Sequence, residues 1–406
     1  LHDTGQEKHA QQQMIFKLSI RSNPLTPNSS KLSHTVQYDR KLILVLEALR
    51  TSADKRLNCF DISVSRPISE YEGEFKMQKI FILLATAVSV AYAPIVNAES
   101  SIATVPAAQA GLSEQKLDAV TTLIQDYVSS GRLAGATTLV SRKGKIAHFQ
   151  TYGRLDETGK KMPEDAVFTI HSMTKPITGV ALMMLHEEGK FKLDDPISKY
   201  LPSFANQRVF SGVNEDGSLQ TVPVKHEATV MDLMRHTAGL TYGVFGNTPV
   251  DQAYLASGVF DPSLTLAEQT AKLGKLPLLY QPGDAWVYSL AVDVQGRLVE
   301  VLSGQTFDAF LKERIFDPLG MNDTGFFVRE DQRDRFVEVY APNENKELSP
   351  YRGNFYSDYS TMPKAPSGGG GLVSTTMDYW KFAQMVANGG ELNGVRLLKQ
   401  ETVDNM

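Results

Sequence analysis

The stretch over residues 167–185 constrains this chain more than any other. It opens on the β-rich run Val167-Phe168-Thr169-Ile170 and passes into residues 173–185, where few charges interrupt a strongly apolar sequence. Ile177, Val180, Ala181, Met184 and Leu185 recur at the spacing of one helical face, and Gly189 stands where such a helix would stop. A helix this apolar has to be buried, which demands a sizeable core. With 406 residues, 42% of them hydrophobic, the chain can build one. Pro176 is tolerated only near a helix start, so Ser172 and Lys175 are predicted within roughly the first turn.

The rest of the body reads as α+β. Ser113 is placed to cap a helix carrying Leu117, Val120, Ile124, Tyr127 and Val128 on one face, with Leu112 stapling onto Leu117. The β-rich runs 135–140 and 146–152 flank Arg142-Lys143-Gly144-Lys145 and predict a hairpin, so a helix and a hairpin form one layer. Further helices are predicted over 229–235, 290–302, 307–315 and 376–387. The segments between them are rich in Gly, Pro and Asn and read as loops long enough to form a binding surface. Ser367-Gly368-Gly369-Gly370-Gly371 lacks the Lys and Ser/Thr of a phosphate-binding loop, so close backbone packing is the better reading.

Ahead of that body, Met77-Gln78-Lys79 supplies a short positive segment, residues 80–96 are apolar and uncharged, and Val96-Asn97-Ala98 ends in a small residue. This is the pattern of a secretory signal peptide over 77–98. A transmembrane helix competes with that reading, but the run falls short of the roughly 20 residues a span needs, and Pro94 interrupts it. Residues 1–76 show no sustained period and are expected to be translated upstream sequence or a disordered extension, with Met77 as the start. The codons for Glu72-Gly73-Glu74 can spell a ribosome-binding site just before it. The expectation is a bacterial protein, periplasmic or secreted, with a body over 99–406 and no stable membrane anchor after cleavage.

Residues before 99 carry 12 Lys+Arg against 9 Asp+Glu, which leaves the body with 29 against 37. An acidic body without a basic stripe argues against nucleic acid as a partner, since that affinity comes from neutralising phosphates. The lone cysteine, Cys59, excludes an intramolecular disulfide framework and a Cys-rich metal site.

Neither a Gly-x-Ser-x-Gly elbow nor His-Glu-x-x-His occurs, and His186-Glu187 lacks a second ligand at helical spacing. No metal and no cofactor is expected. Ser-x-x-Lys occurs three times, at Ser52/Lys55, Ser113/Lys116 and Ser172/Lys175. Ser52 precedes the signal-like segment and Ser113 is accounted for as a cap. Ser172 and Lys175 share one face at the mouth of the most apolar helix, where developing negative charge is favoured and a buried lysine loses its charge more easily. The pair reads as nucleophile and base, or as an N-cap serine followed by a snorkelling lysine. A lone lysine is a poor base for a serine unless a second group shares the proton. Tyr288, after the Pro282-Gly283 turn and just before the helix at 290–302, is placed to do so. The same placement suits a half-buried aromatic beside a cap, the commoner case.

The stretch Phe168-Thr169-Ile170-His171-Ser172-Met173-Thr174-Lys175-Pro176 resembles the nucleophile segment of the serine β-lactamase and penicillin-binding superfamily, in its class C and family VIII carboxylesterase branch. Supporting segments follow in family order: Lys192-Leu193-Asp194-Asp195-Pro196-Ile197, Leu233-Met234-Arg235-His236-Thr237-Ala238-Gly239-Leu240, Tyr288-Ser289, Phe316-Asp317-Pro318-Leu319-Gly320-Met321 and Gly369-Gly370-Gly371-Leu372-Val373-Ser374-Thr375. The resemblance runs from about residue 110 to the end. It implies a β-lactamase-like α+β fold, an antiparallel sheet with flanking helices plus a mostly helical region. It also implies that Ser172 is acylated, that Lys175 assists its deprotonation, and that Tyr288 carries protons to the leaving group and from the hydrolytic water. The Ser172 backbone N–H would supply half of an oxyanion hole. Ser289 is expected to touch substrate, a small-molecule ester or β-lactam. His171 and His236 fall in these segments without a required catalytic role and read as structural or pocket-lining.

Two departures shape the functional expectation. β-Lactamases similar to class C carry Asn two positions after the tyrosine, to hydrogen-bond the substrate's side-chain amide; here that position is Leu290. Ester hydrolysis therefore gains over lactam hydrolysis. The family's third motif, a Lys-Thr-Gly or aromatic/His-Gly-Gly strand, has no candidate between Ser374 and Met406, so the C-terminal strands are expected to be missing. That would open a sheet edge and remove an oxyanion donor, a loss typically worth about 100- to 1,000-fold. The expected function is a carboxylesterase working through an acyl-serine. A β-lactamase or D-Ala-D-Ala carboxypeptidase is the alternative, and a non-catalytic penicillin- or peptide-binding protein the third reading.

Overall fold

Leu117 and Ile124, seven residues apart, are both buried along α1 (Glu114–Ser129), which packs by that stripe on the hairpin that follows. Ser113 takes the N-cap position, but its hydroxyl makes no capping hydrogen bond, so the expected cap is positional only. In the hairpin, β1 (Gly135–Arg142) and β2 (Lys145–Gly153) run antiparallel through Lys143-Gly144, both at positive φ (53° and 74°), as a two-residue hairpin turn requires. The structure is a computed structural model that describes residues 102–353, 357 and 359–406. The signal-like segment, residues 1–76 and Cys59 lie outside the described residues.

The stretch at 167–185 folds as a short strand, a turn and a buried helix: β3 (Val167–Thr169), a 3₁₀ turn at His171–Met173, and α2 (Thr174–Glu187). Ile177, Val180, Ala181 and Leu182 of α2 are fully buried. Burying one such Val, Leu or Ile side chain is worth about 1.5–3 kcal/mol, which makes this helix an axis of the core. Pro176 is its third residue, where a missing N–H leaves no hydrogen bond unmade.

Beyond α2 the chain is more ordered than its composition suggests. The hairpin β4 (Arg208–Val213) and β5 (Leu219–Pro223), then α3 (Val230–Met234), α4 (Pro249–Ala256) and α5 (Leu266–Leu273), occupy a region read largely as loop apart from the helix at 229–235. Two capping boxes, Thr248 with Asp251 and Thr265 with Glu268, start α4 and α5 by satisfying backbone N–H groups reciprocally. Next, α6 (Ala291–Ser303) packs across α2. Gly296 allows α7 (Phe307–Leu311) to come close, since a Cβ there would lie 3.1 Å from the Phe307 ring. The predicted single helix over 307–315 is in fact α7 followed by a π-helical turn at Lys312–Phe316.

Later come the paired strands β6 (Tyr340–Pro342) and β7 (Leu348–Pro350), then β8 (Val373–Thr375), α8 (Thr376–Ala387) and α9 (Gln400–Asn405). The Trp380 indole donates to Ser141 Oγ at 2.8 Å and ties α8 to β1. The result is an α+β fold in which the paired strands among the described residues run antiparallel, with isolated parallel bridges at Val167–Phe336 and Val209–Leu278. Where the resemblance implied one joined sheet, the strands among the described residues form separate pairs. No described helix is long and apolar enough to cross a membrane.

One pairing positions everything that follows. β8 lies antiparallel to β3 with Phe168 opposite Ser374, which brings residues 367–372 beside residues 170–174. Ile170 N–H donates to Leu372 O at 3.0 Å, and Leu372 N–H donates to Thr174 Oγ1 at 3.2 Å.

Candidate active site

Between β3 and α2 the backbone turns sharply at His171, whose φ of 42° lies in the left-handed region that residues with a Cβ rarely adopt. Such a conformation persists only where its surroundings hold it. Here the β3–β8 pairing fixes one side and the buried helix the other. Ser172 follows in the 3₁₀ turn, exposed and just ahead of the α-helix rather than inside it. Lys175, half-buried in the first turn of α2, brings Nζ to 3.2 Å from Ser172 Oγ. Tyr288 arrives from a segment 116 residues away and sets its hydroxyl 2.5 Å from the same oxygen. The structure thus brings Ser172, Lys175 and Tyr288 together.

Lys175 has two more partners. Its Nζ donates to the Gly369 carbonyl at 2.6 Å and to Tyr242 OH at 3.3 Å, and it sits 4.5 Å from the Tyr288 ring centroid. As an ammonium, its three N–H groups meet three acceptors. As a free amine it keeps two N–H groups and gains a lone pair. Gly369 O can only accept, so that lone pair must face a hydroxyl, either Ser172 or Tyr242. Burial, and secondarily the Asp293 and Tyr288 charges, push the Tyr242 phenol up, so it remains protonated.

The histidines frame the site. His236 packs its ring 5.2 Å from Tyr288 and 6.0 Å from Trp286. Burial, with a smaller contribution from the Lys175 charge, lowers its pKa to about 4, so it is neutral at physiological pH. Its Nδ1 accepts the Ser289 N–H at 3.3 Å, and Ser289 Oγ lies 3.2 Å from the same nitrogen. Ser289, expected to touch substrate, is only 1% exposed and braces the Tyr288 segment against His236. Leu290 is buried in the core and presents no polar group to the site. Burial likewise lowers His171, whose Nε2 lies 3.2 Å from Thr169 Oγ1.

Sequence reasoning missed several neighbours. Trp286 (66% exposed) and Phe245 (71% exposed) flank Tyr288, with ring centroids 6.2 Å and 5.8 Å from it, and form an open aromatic platform at the mouth. Tyr242 lies two residues beyond the segment ending at Leu240, which was its available signal. Asp293 is an acidic residue flanked by Val292 and Val294 in α6. The glycine run does pack closely, as expected. A Cβ on Gly368 would lie 2.5 Å from Val292 O, and one on Gly369 would lie 2.7 Å from Tyr242 OH. What spacing alone did not disclose is that Gly369 O holds Lys175.

A family model described as Beta-lactamase fits residues 120–406. An uncharacterized protein of Mycobacterium tuberculosis is 36% identical over 291 residues, covering 71% of this chain and 70% of its own length. The lovastatin esterase of Penicillium rubens is 30% identical over 292 residues, covering 70% and 71%. Among solved structures, EstCE1, a hydrolase with promiscuous acyltransferase activity, is 27% identical with a TM-score of 0.60, covering 71% of this chain and 76% of that one. The chain belongs to the beta-lactamase family, in which its relatives include esterases and acyltransferases.

Proposed function

We propose that this protein is a serine hydrolase that cleaves carboxylic esters through an acyl-Ser172 intermediate. One observation carries the reading: Ser172 Oγ stands between Lys175 Nζ at 3.2 Å and Tyr288 OH at 2.5 Å. In the proposed first step Lys175, as the amine, takes the Ser172 proton while Oγ bonds to the ester carbon and the carbonyl electrons move to oxygen. The Ser172 backbone N–H is the proposed donor to that oxyanion. When the ester C–O bond breaks, Tyr288 protonates the departing alkoxide and is refilled with the proton held by Lys175. Water then repeats the sequence on the acyl group, releasing the acid and restoring Ser172. His236, neutral and packed on Tyr288, holds the phenol without competing for the proton.

Two features favour esters over β-lactams. Leu290 offers no amide where the family's lactamases place one, and the Trp286 and Phe245 platform suits an apolar substituent rather than a charged one. The name of the Penicillium rubens relative, a lovastatin esterase, lends support to ester cleavage, and that of EstCE1 to hydrolysis. A parallel assay with p-nitrophenyl butyrate and a chromogenic cephalosporin tests the choice. Turnover of the ester with little of the cephalosporin is expected. Faster cephalosporin turnover would favour a lactamase, and covalent capture of the cephalosporin with neither substrate turned over would favour a non-catalytic binder.

A further inference from the structure

Asp293, on the first turn of α6 and five residues beyond Tyr288, is a buried carboxyl that the proposed chemistry does not yet use. Its Oδ1 accepts the Ser367 hydroxyl at 2.6 Å and the Gly369 N–H at 3.3 Å. The other face of that same glycine, its carbonyl, takes Lys175 Nζ at 2.6 Å. Asp293 thus anchors one end of Gly369 while Lys175 is held by the other. Its Oδ2 has no hydrogen-bond partner among the described residues. A Cβ on Gly369 would lie 2.7 Å from Tyr242 OH and 2.8 Å from Asp293 Oδ2, so phenol and carboxylate flank the glycine closely. A side chain at 369 would force the phenol or the carboxyl to move.

We propose that Asp293 is the positioning residue for Lys175: it fixes Gly369 so that its carbonyl holds the amine against Ser172, and its negative charge strengthens that amine as a proton acceptor. The assignment rests on the acyl-serine reading above. Besides Asp293, the titratable groups facing Lys175 are Tyr242, Tyr288 and His236. Tyr242 stays protonated and His236 neutral near pH 7; Asp293 is the acidic side chain among these groups, its carboxyl pushed up by burial and held down in part by the Ser367 hydroxyl, the Gly369 N–H and the Lys175 charge. Burial pushes the Asp293 carboxyl up, so keeping it charged opposes folding.

The test is the rate at which a fluorophosphonate probe labels Ser172 across pH, with thermal stability measured in parallel. Asp293→Asn keeps an oxygen to accept from Ser367 and Gly369 but removes the charge, so the Lys175 proton becomes easier to lose. The acid limb of labelling is expected to move down by about one pH unit, with a lower plateau because the amine is a weaker base. The two profiles then cross, while Tm at neutral pH holds or rises. Asp293→Ala removes the anchor as well and is expected to lower the plateau further without weakening probe binding. A profile for Asp293→Asn that superimposes on the unsubstituted one would overturn the assignment. So would slower labelling at every pH accompanied by a fall in Tm, which is the mark of a structural role. If the unsubstituted chain is not labelled at Ser172 at all, the acyl-serine reading fails and the Asp293 assignment falls with it.

Discussion

Replacing Ser172 by Ala is expected to abolish turnover of p-nitrophenyl butyrate, a loss of about a million-fold in kcat where a nucleophile and its partners act as a unit. The size of the effect follows from the geometry. Lys175 and Tyr288 converge on one oxygen, and without it neither has a proton to move. Because they act together, adding Lys175→Ala to Ser172→Ala should cost little more, whereas independent contributions would multiply. Ser172 is exposed at its turn, so Tm should change little. Ester turnover surviving in Ser172→Ala would refute the assignment of the nucleophile.

Tyr288→Phe comes next, with an expected loss of about 100- to 10,000-fold in kcat, the range for removing a positioned acid–base group. The ring would stay where it is, because its packing against His236 at 5.2 Å, Tyr242 at 5.3 Å and Phe245 at 5.8 Å does not involve the hydroxyl. KM should therefore hold within a few-fold while kcat falls. Steady-state kinetics separates the two. A rise in KM with kcat intact would mean that Tyr288 only shapes the mouth and that proton delivery lies elsewhere.

What could be read in the residues and what could not divide along physical lines. The buried helix α2 was legible because its apolar spacing is dictated by the core it fills, and Pro176 marked its start. The hairpin around Lys143-Gly144 was legible because two β-rich runs flank a short polar turn, and Gly144 readily takes the positive φ found there. The region read as loop held α4 and α5 because Thr248 with Asp251 and Thr265 with Glu268 satisfy helix N-termini locally, a signal carried by two polar side chains rather than by apolar period. Ser172 and Lys175 were legible as neighbours on one turn. Tyr242, Gly369 and Asp293 were not, since their meeting depends on the β3–β8 pairing and on α6 crossing α2, contacts between segments up to about 200 residues apart that no local pattern encodes.

The central claim is that an acyl group resides on Ser172 during turnover. Acid quenching during steady-state hydrolysis of p-nitrophenyl butyrate, followed by peptide-mapping mass spectrometry, tests it directly. The account predicts a butyryl group on the peptide containing Ser172, lost on chasing with water and absent from Ser172→Ala. Ester turnover with no adduct, or with the adduct on another residue, would contradict it.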